Sequence, residues 1–302
     1  MENLVEDIKR MAKERDAVIL AHYYVDGAIQ DIADYVGDSF YLAKVANEVE
    51  NKTIVFCGVT FMGESACIMN PDKTVLMPES EAACPMALMV DEQEIRKMRE
   101  KYDDLAVVCY INSMAATKAL SDVCVTSSNA LKIVSKLPNK NIYFIPDQNL
   151  GSWIAKQLPE KNFILGDGYC YVHHNISVAD VEVFRKKYPG VKVLAHPECP
   201  LPVSEAVDYV GSTSGIIDYA TSSDDKEFII CTESGVLHEL KKRNPEKTFH
   251  FIDKDICSNM KMLTLESVAR CLAENEPQAH VAEDVRVKAR KSLDRMLELA
   301  RD

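Results

Sequence analysis

The 302-residue chain lacks several features that mark common classes of protein. It has no apolar run near the roughly eighteen residues that a membrane-spanning helix needs. Its first residues, MENLVEDIKRMAKERD, are amphipathic and mixed in charge, unlike a signal-peptide core. It also has no excess of positive charge, since 35 lysines and arginines against 47 aspartates and glutamates give a net charge of −12. We therefore expect no membrane and no nucleic acid among its partners.

No CxxC pair occurs, although the chain contains ten cysteines. The absence of that pair excludes the usual thioredoxin and zinc-ribbon arrangements. Many cysteines in a long chain without a secretory signal are typical of a reducing compartment. We therefore expect a cytoplasmic protein whose thiols are either reduced or bound to a metal.

The chain repeats one pattern three times. Four kinds of segment recur in the same order, each in three copies. The copies of the first kind are AVILAHYY, AVVCYINS and VKVLAHPE, and those of the second are ADYVGDSFYLA, SDVCVTSSNAL and VDYVGSTSGII. The copies of the third kind are KTIVFCG, KNIYFIP and KEFIICT, and those of the fourth are KTVLMPE, KNFILGD and KTFHFID. The lysines that open the third kind, Lys52, Lys140 and Lys226, are 88 and 86 residues apart, and those of the fourth kind have the same spacing. Four segments at one offset establish a triplicated module.

The segments also predict the fold class. Their apolar runs are continuous rather than alternating, which is typical of strands buried in parallel sheets, and helical patterns lie between them. We expect an α/β protein of three homologous α/β/α modules with short parallel sheets, arranged around a pseudo-threefold axis. The predicted modules are residues 1–86, 87–173 and 174–261, each starting with a helix (near 3–15, 91–101 and 178–187). The C-terminal helices, within residues 262–302, are expected to pack on the first module.

One cysteine follows the fourth strand of each module: Cys84, Cys170 and Cys257, 86 and 87 residues apart. Ligand-binding groups gather at the carboxyl ends of parallel strands, so the repeat predicts that these three thiolates meet as metal ligands. A small buried cysteine could also recur by ancestry alone, but the flanking residues diverge and the other seven cysteines do not recur. Three thiolates suit a [4Fe–4S] cluster with one open iron, and a catalytic zinc with a bound water is the alternative.

Hydroxyl residues stand where a helix follows the second strand of each module. They are Ser39, after Asp38, in the first module, Thr126, Ser127 and Ser128 in the second, and Ser212, Thr213 and Ser214 in the third. Any one of them could be an ordinary helix N-cap. Three helix N-termini that face one axis would instead form a pocket of N–H groups and hydroxyls suited to phosphate and carboxylates.

Titratable side chains follow the first strand of each module. They are His22, Tyr23 and Tyr24 in the first, Tyr110 with Asn112 in the second, and His196 and Glu198 in the third. His173 follows a predicted ligand, Cys170, by three residues and could reach the same cavity. Such groups beside an open metal site are those that would move protons in an elimination.

At these residues the chain resembles the quinolinate synthase (NadA) family of NAD biosynthesis. The matching motifs run from the first helix to the last: AHYY, DIADYVGDS, NPDK, CPM, YINS, TSSNA, CYVHH, HPECP, VGSTS and NMK. The resemblance implies that iminoaspartate is condensed with dihydroxyacetone phosphate to quinolinate, with release of phosphate and two waters. It implies an oxygen-sensitive [4Fe–4S] cluster on the three recurring cysteines, whose open iron is a Lewis acid. It also implies functional coupling to an L-aspartate oxidase or dehydrogenase.

The resemblance further implies roles for individual residues. The catalytic set would be Tyr24, Tyr110, His196 and Glu198, with Tyr24 and Glu198 as acid–base groups near the iron. The substrate-binding set would be His22, Ser39, Tyr110, Asn112, Ser127, His173, His196, Glu198, Ser212 and Thr213. Two other functions stay open from the residues alone: a different cluster-dependent hydro-lyase, and a redox or oxygen sensor. A sensor should carry a DNA- or partner-binding element, and neither a basic helix nor an appended domain is evident.

Overall fold

Strands from three repeats form three separate sheets in the computed structural model, which describes residues 2–252 and 254–301. The strands of the first sheet are β1 Ala17–His22, β2 Tyr35–Gly37, β3 Thr53–Cys57 and β4 Thr74–Leu76. Those of the second are β5 Leu105–Tyr110, β6 Val123–Val125, β7 Asn141–Ile145 and β8 Asn162–Leu165. Those of the third are β9 Lys192–Ala195, β10 Tyr209–Val210, β11 Glu227–Cys231 and β12 Thr248–Phe251.

Helices connect the strands. In chain order they are α1 Glu2–Glu14, α2 Gly27–Ile32, α3 Ser39–Glu48, α4 Thr60–Met69, α5 Glu92–Lys101, α6 Ala115–Ala119, α7 Ala130–Lys136, α8 Gln148–Gln157, α9 Tyr171–His174, α10 Val178–Lys187, α11 Leu201–Ala206, α12 Thr213–Ser222, α13 Leu237–Arg243, α14 Leu265–Glu274 and α15 Glu283–Ala300. Short 3-10 helices cover Pro85–Leu88, Ser234–Val236 and Met260–Met262. Among the helices in the described part of the chain, none has the length and apolar character needed to cross a bilayer.

The predicted fold class is confirmed. The three sheets have the same strand order, β2-β1-β3-β4, β6-β5-β7-β8 and β10-β9-β11-β12, and they are parallel. Every residue of β3 and of β5 is buried, as continuous apolar runs predict for strands covered on both faces. The pseudo-threefold axis and the module boundaries stay predictions.

The recurring lysine of the fourth segment has a structural role in each sheet. Lys161 Nζ donates to the carbonyl oxygens of Leu137, 2.7 Å away, and Asn139, 2.9 Å away, just beyond the end of α7. Lys73 donates in the same way to Val49, beyond α3, and Lys247 donates to carbonyls at the end of α12. An ammonium at a helix C-terminus satisfies carbonyls that lack an intrahelical partner and interacts favourably with the helix dipole. The repeat therefore extends from sequence to individual contacts.

The described chain divides into two compact units. The first comprises Met1–Leu88, Ile111–Cys124 and Ser258–Asp302, and the second comprises Met89–Tyr110 and Val125–Cys257. Within the first unit, α14 packs on α1, and α15 packs on α4 and α6. Arg290 of α15 donates from Nη1 to the carbonyl oxygen of Met69, 2.6 Å away at the end of α4. The C-terminal helices are thus part of the unit that contains the first sheet.

The strand order determines where ligands would bind. In each sheet the first strand lies between the second and third. The order in which strands are added across the sheet therefore reverses between the first and third strands. In open parallel sheets, ligands bind outside the carboxyl ends of strands at such a point. There β9 and β11 end side by side, with Ala195 paired to Cys231, and β5 and β7 end with Cys109 paired to Ile145. Residues that follow these pairs are therefore candidates for a site.

A candidate acid–base and metal centre

A buried phenol and a buried carboxylate meet at the ends of two first strands. Tyr110 is the last residue of β5, and Glu198 lies three residues beyond the end of β9. The Tyr110 hydroxyl donates to Glu198 Oε1 at 2.5 Å. Both residues are 4% exposed. A hydrogen bond this short between a phenol and a carboxylate is charge-assisted, so it fixes the carboxylate in place.

His173 connects this pair to a cysteine. Its Nδ1 lies 2.8 Å from Glu198 Oε2 and 3.3 Å from Cys170 Sγ. Its Nε2 lies 2.9 Å from Thr232 Oγ1, and its ring stacks on His196 with centroids 4.7 Å apart. A proton on Nδ1 can therefore be shared with either the carboxylate or the sulfur. We call Tyr110, Glu198 and His173 the acid–base network.

His196 presents a hydrogen-bond donor toward a hydroxyl. Its Nδ1 accepts the main-chain N–H of Glu198 at 3.3 Å, so a neutral imidazole carries its hydrogen on Nε2. That nitrogen lies 3.2 Å from Ser127 Oγ. In the first unit His22 accepts the N–H of Tyr24 at 3.2 Å through the same ring nitrogen. The equivalent histidines of the first and third modules thus share a local geometry.

Charges around Glu198 determine its protonation state. Burial alone would raise the pKa of Glu198, but His196, His173 and the Tyr110 hydroxyl outweigh burial and lower that pKa. Asp147 behaves oppositely, because burial and the charge of Glu198 raise the pKa of its carboxyl group. Buried groups with pKa values shifted apart are typical of sites that transfer protons. Glu198 is thus an ionised carboxylate, with Tyr110 at one oxygen and His173 at the other.

Three groups of the site could hold a metal ion. Cys170, His173 and Glu198 present ligand atoms that all lie within 4.8 Å of one another. Sulfur, nitrogen and oxygen donors in one place are compatible with a divalent transition metal.

The three cysteines that recur with the repeat share the same degree of exposure. Cys84, Cys170 and Cys257 are all partly exposed, and each follows the fourth strand of its sheet. Cys67, within α4, is the other partly exposed cysteine of the described chain; the buried ones are Cys57, Cys109, Cys124, Cys199, Cys231 and Cys271. Thiolates that bind metals need access and polar surroundings, whereas buried cysteines are inert. The partial exposure of these three thiols is therefore compatible with metal binding by each, and their meeting at one metal group stays a prediction.

Other predicted site residues lie in the first unit: His22, Tyr24, Ser39, Cys84 and Asn112. The Tyr24 ring stands edge-on to His22 with centroids 4.6 Å apart, and its carbonyl oxygen accepts Lys261 Nζ at 2.8 Å. In the part of the chain that the structure describes, Asn112 Oδ1 is buried without a hydrogen-bond partner. A buried acceptor of this kind is costly unless a ligand or water satisfies it.

The hydroxyl residues differ in what they contact. Ser212 is the N-cap of α12 and accepts the N–H of Gly215 at 3.1 Å, while Thr213 is the first helical residue. Ser39 is the first residue of α3, whose cap is Asp38. Ser127 lies instead beside His196. Ordinary capping thus accounts for Ser212, and the anion pocket stays a prediction.

The structure brings together six of the predicted residues in the second unit: Tyr110, Ser127, Cys170, His173, His196 and Glu198. Four further residues at this place are absent from the predictions: Asp147, Asn149, Thr232 and Glu233. Asn149 donates from Nδ2 to the Glu198 carbonyl oxygen at 2.9 Å. A signal for the two acids exists, since each lies seven residues after the lysine that opens the third segment of its module. Val59 has that position in the first module, so the pattern is incomplete.

Fold and site together define the class: an α/β protein of repeated parallel sheets with an acid–base centre beside a thiol, at the carboxyl ends of strands. Residues 6–298 match the family model described as quinolinate synthetase A protein, and the chain belongs to this family.

Close relatives cover nearly the whole chain. A quinolinate synthase of Fusobacterium nucleatum is 53% identical over 295 residues, which are 98% of this chain and 99% of the relative. Those of Clostridioides difficile and Caldicellulosiruptor saccharolyticus are each 50% identical, over 99% of this chain and 98% and 99% of their own length.

Proposed function

We propose that this chain is a quinolinate synthase, which condenses iminoaspartate with dihydroxyacetone phosphate to quinolinate and releases phosphate and two waters. The family match over residues 6–298 and relatives with that name support the activity. The observation that carries the proposal is the contact of the acid–base network with Cys170 through His173 Nδ1. The residues proposed to transfer protons therefore lie in contact with a proposed metal ligand.

We also propose that Cys84, Cys170 and Cys257 hold a [4Fe–4S] cluster. Their partial exposure and their equivalent positions after the fourth strands support this assignment. When bound, such a cluster with one iron open supplies a Lewis acid that polarises a hydroxyl or carboxylate oxygen.

The acid–base network performs the proton transfers in this proposal. Each dehydration removes a proton from carbon and delivers one to the departing hydroxyl. Glu198 is ionised because its pKa is lowered, so Oε2 can take the proton from carbon. A protonated His173, whose Nδ1 lies 2.8 Å from Oε2, can deliver its Nδ1 hydrogen to the departing hydroxyl. The Tyr110 hydroxyl holds Oε1 and keeps the carboxylate aligned. Tyr24 is the proposed acid–base group of the first unit.

Substrate anions are bound by hydrogen-bond donors in this proposal. His196 carries its hydrogen on Nε2, beside the Ser127 hydroxyl, and this pair suits a carboxylate or phosphate oxygen. His22 presents its Nε2 in the same way. Asn112, whose Oδ1 is buried and available, suits a donor group of the substrate such as its nitrogen. The proposed remaining anion contacts are Ser39, Ser212 and Thr213.

An enzyme that oxidises L-aspartate, an oxidase or a dehydrogenase, is the proposed source of iminoaspartate. An imine is hydrolysed in water, so its supply has to be close to its use. Ten cysteines, three of them proposed cluster ligands, support a location in the reducing cytoplasm.

An anaerobic assay with the two substrates tests the proposed function. The wild type should form quinolinate, and Cys84→Ala should form none because one cluster ligand is lost. The matched control is Cys67→Ala, which removes a partly exposed cysteine that does not recur in the repeat. Full activity of Cys84→Ala, or no quinolinate from the wild type with an intact cluster, would contradict the proposal.

A further inference from the structure

Two buried carboxyl groups occupy equivalent places in the second and third modules. Asp147 follows β7 and Glu233 follows β11, and both are 0% exposed. One oxygen of each caps the next helix: Asp147 Oδ1 accepts the Leu150 N–H at 2.6 Å, and Glu233 Oε2 accepts the Gly235 N–H at 2.6 Å. A serine or threonine would be sufficient for such a cap. The second oxygen of each carboxyl group therefore needs its own explanation.

That second oxygen accepts the main-chain N–H of a proposed cluster ligand in both modules. Asp147 Oδ2 lies 3.3 Å from the nitrogen of Cys170, and Glu233 Oε1 lies 3.4 Å from the nitrogen of Cys257. Each carboxyl group thus ties the start of a helix to the loop that carries a cysteine. The same contact occurs twice although the acid differs in length, which indicates that the link itself is what the two modules share.

We propose that Asp147 and Glu233 are positioning residues for the metal site: each holds the main chain at a ligating cysteine, so that the sulfur is in place before the metal binds. The inference rests on the proposed cluster at Cys170 and Cys257. Groups that orient metal ligands without touching the metal contribute strongly to its retention. The first module has Val59 at this position, whose side chain makes no cap hydrogen bond.

The same helix start also fixes the acid–base network. Asn149, two residues after Asp147, donates to the Glu198 carbonyl oxygen at 2.9 Å. The first turn of α8 therefore sets the main chain of both a cluster ligand and the proposed base. Because both contacts come from the start of one helix, that helix start helps to fix the distance between Cys170 and Glu198.

Amide variants separate this role from helix capping. Asp147→Asn and Glu233→Gln keep the size of the side chain but leave one acceptor oxygen for two N–H donors, so the cap and the cysteine contact cannot both persist. Asp91→Asn is the matched control. Asp91 caps α5 through one oxygen, which accepts the Gln93 N–H at 2.8 Å, and this cap involves no proposed metal ligand. Asp147→Glu keeps two acceptors and should restore part of the effect.

The measurement is the rate at which an excess of iron chelator bleaches the anaerobically reconstituted holoenzyme. Asp147→Asn and Glu233→Gln should lose iron roughly 10- to 100-fold faster than the wild type, while Asp91→Asn should match it. A fall in the Tm of the metal-free variants with wild-type iron loss would show a structural role only and overturn the inference. If Asp147→Asn does not fold, Glu233→Gln and Asp147→Glu give the same decision. A wild type that binds no iron would instead contradict the proposed function, and the inference with it.

Discussion

Tyr110 donates its hydroxyl hydrogen to Glu198 at 2.5 Å, although 88 residues separate them in the chain. Tyr110 is the last residue of the first strand of its sheet, and Glu198 lies three residues beyond the end of the first strand in the next module. Triplication thus brings together residues of different chemistry at repeated positions. One repeat supplies a phenol and the next a carboxylate, and a buried hydrogen-bonded pair results.

Replacing Glu198 by Gln should remove the proposed base without disturbing the metal. We expect quinolinate formation to fall about 10²- to 10⁴-fold, the usual contribution of a general base, with an unchanged iron content. Single-turnover kinetics of the reconstituted variant would measure this loss. Glu205→Gln, which alters an exposed carboxylate paired with Lys156, is the control and should retain wild-type turnover. Near-normal activity of Glu198→Gln would remove that residue from the mechanism.

Replacing Tyr110 by Phe should change the pH dependence of the reaction. In the wild type the pKa of Glu198 is lowered, so this carboxylate stays ionised as the pH falls through the mildly acidic range. Loss of the phenol removes one of the groups that lower this pKa, and the pKa of Glu198 should rise. Activity of the variant should therefore decline at a higher pH than that of the wild type. Tyr102→Phe is the control, and coincident acid limits for Tyr110→Phe and the wild type would contradict this reading.

The thiols of the metal-free protein should differ in reactivity. Burial raises the pKa of Cys231 and of Cys271 to about 12, so neither thiol is appreciably ionised at pH 8. The partly exposed Cys84, Cys170 and Cys257 should be alkylated by iodoacetamide well before them, and bound iron should protect these three. Mass spectrometry of digests sampled over time measures each site. Equal labelling rates for Cys231 and Cys170 would contradict the expectation.

The recurring lysine of the fourth segment should stabilise the fold. Lys161→Met removes two hydrogen bonds to carbonyl oxygens beyond α7 and should lower the free energy of unfolding by about 1–2 kcal/mol. Urea denaturation of the metal-free protein measures the change. Lys140→Met, at an exposed position, is the matched control. The account of the repeat would be wrong in this detail if the two variants were equally stable.

The sequence predicted the strands well, because buried parallel strands are continuous apolar runs and each run occurs three times. It also predicted which residues follow the strand ends, and six of them meet in the second unit. It did not predict Asp147 or Glu233, since an acid after a strand is ordinarily only a helix cap. Their hydrogen bonds to the main-chain N–H groups of Cys170 and Cys257 depend on the tertiary position of the cysteine loops. The residues around Asp147 and Glu233 in the sequence do not encode that position. Thr232 was missed for a similar reason, because its hydroxyl matters only through its contact with His173.

Ser212 illustrates a second reason why the sequence alone did not determine the site. A hydroxyl at a helix start has two uses, capping and anion binding, and both give the same sequence pattern. The contact with Gly215 shows that the side chain of Ser212 caps α12. Only Ser127, beside His196, has a contact that points to the second use.

Metal analysis combined with product analysis on one anaerobic preparation tests the proposed cofactor and reaction together. We expect about four irons and four sulfides per chain, together with quinolinate from iminoaspartate and dihydroxyacetone phosphate. A cluster without quinolinate would keep the metal site and indicate a different dehydration. Zinc in place of iron under strictly anaerobic handling, with no cluster after reconstitution, would contradict the account.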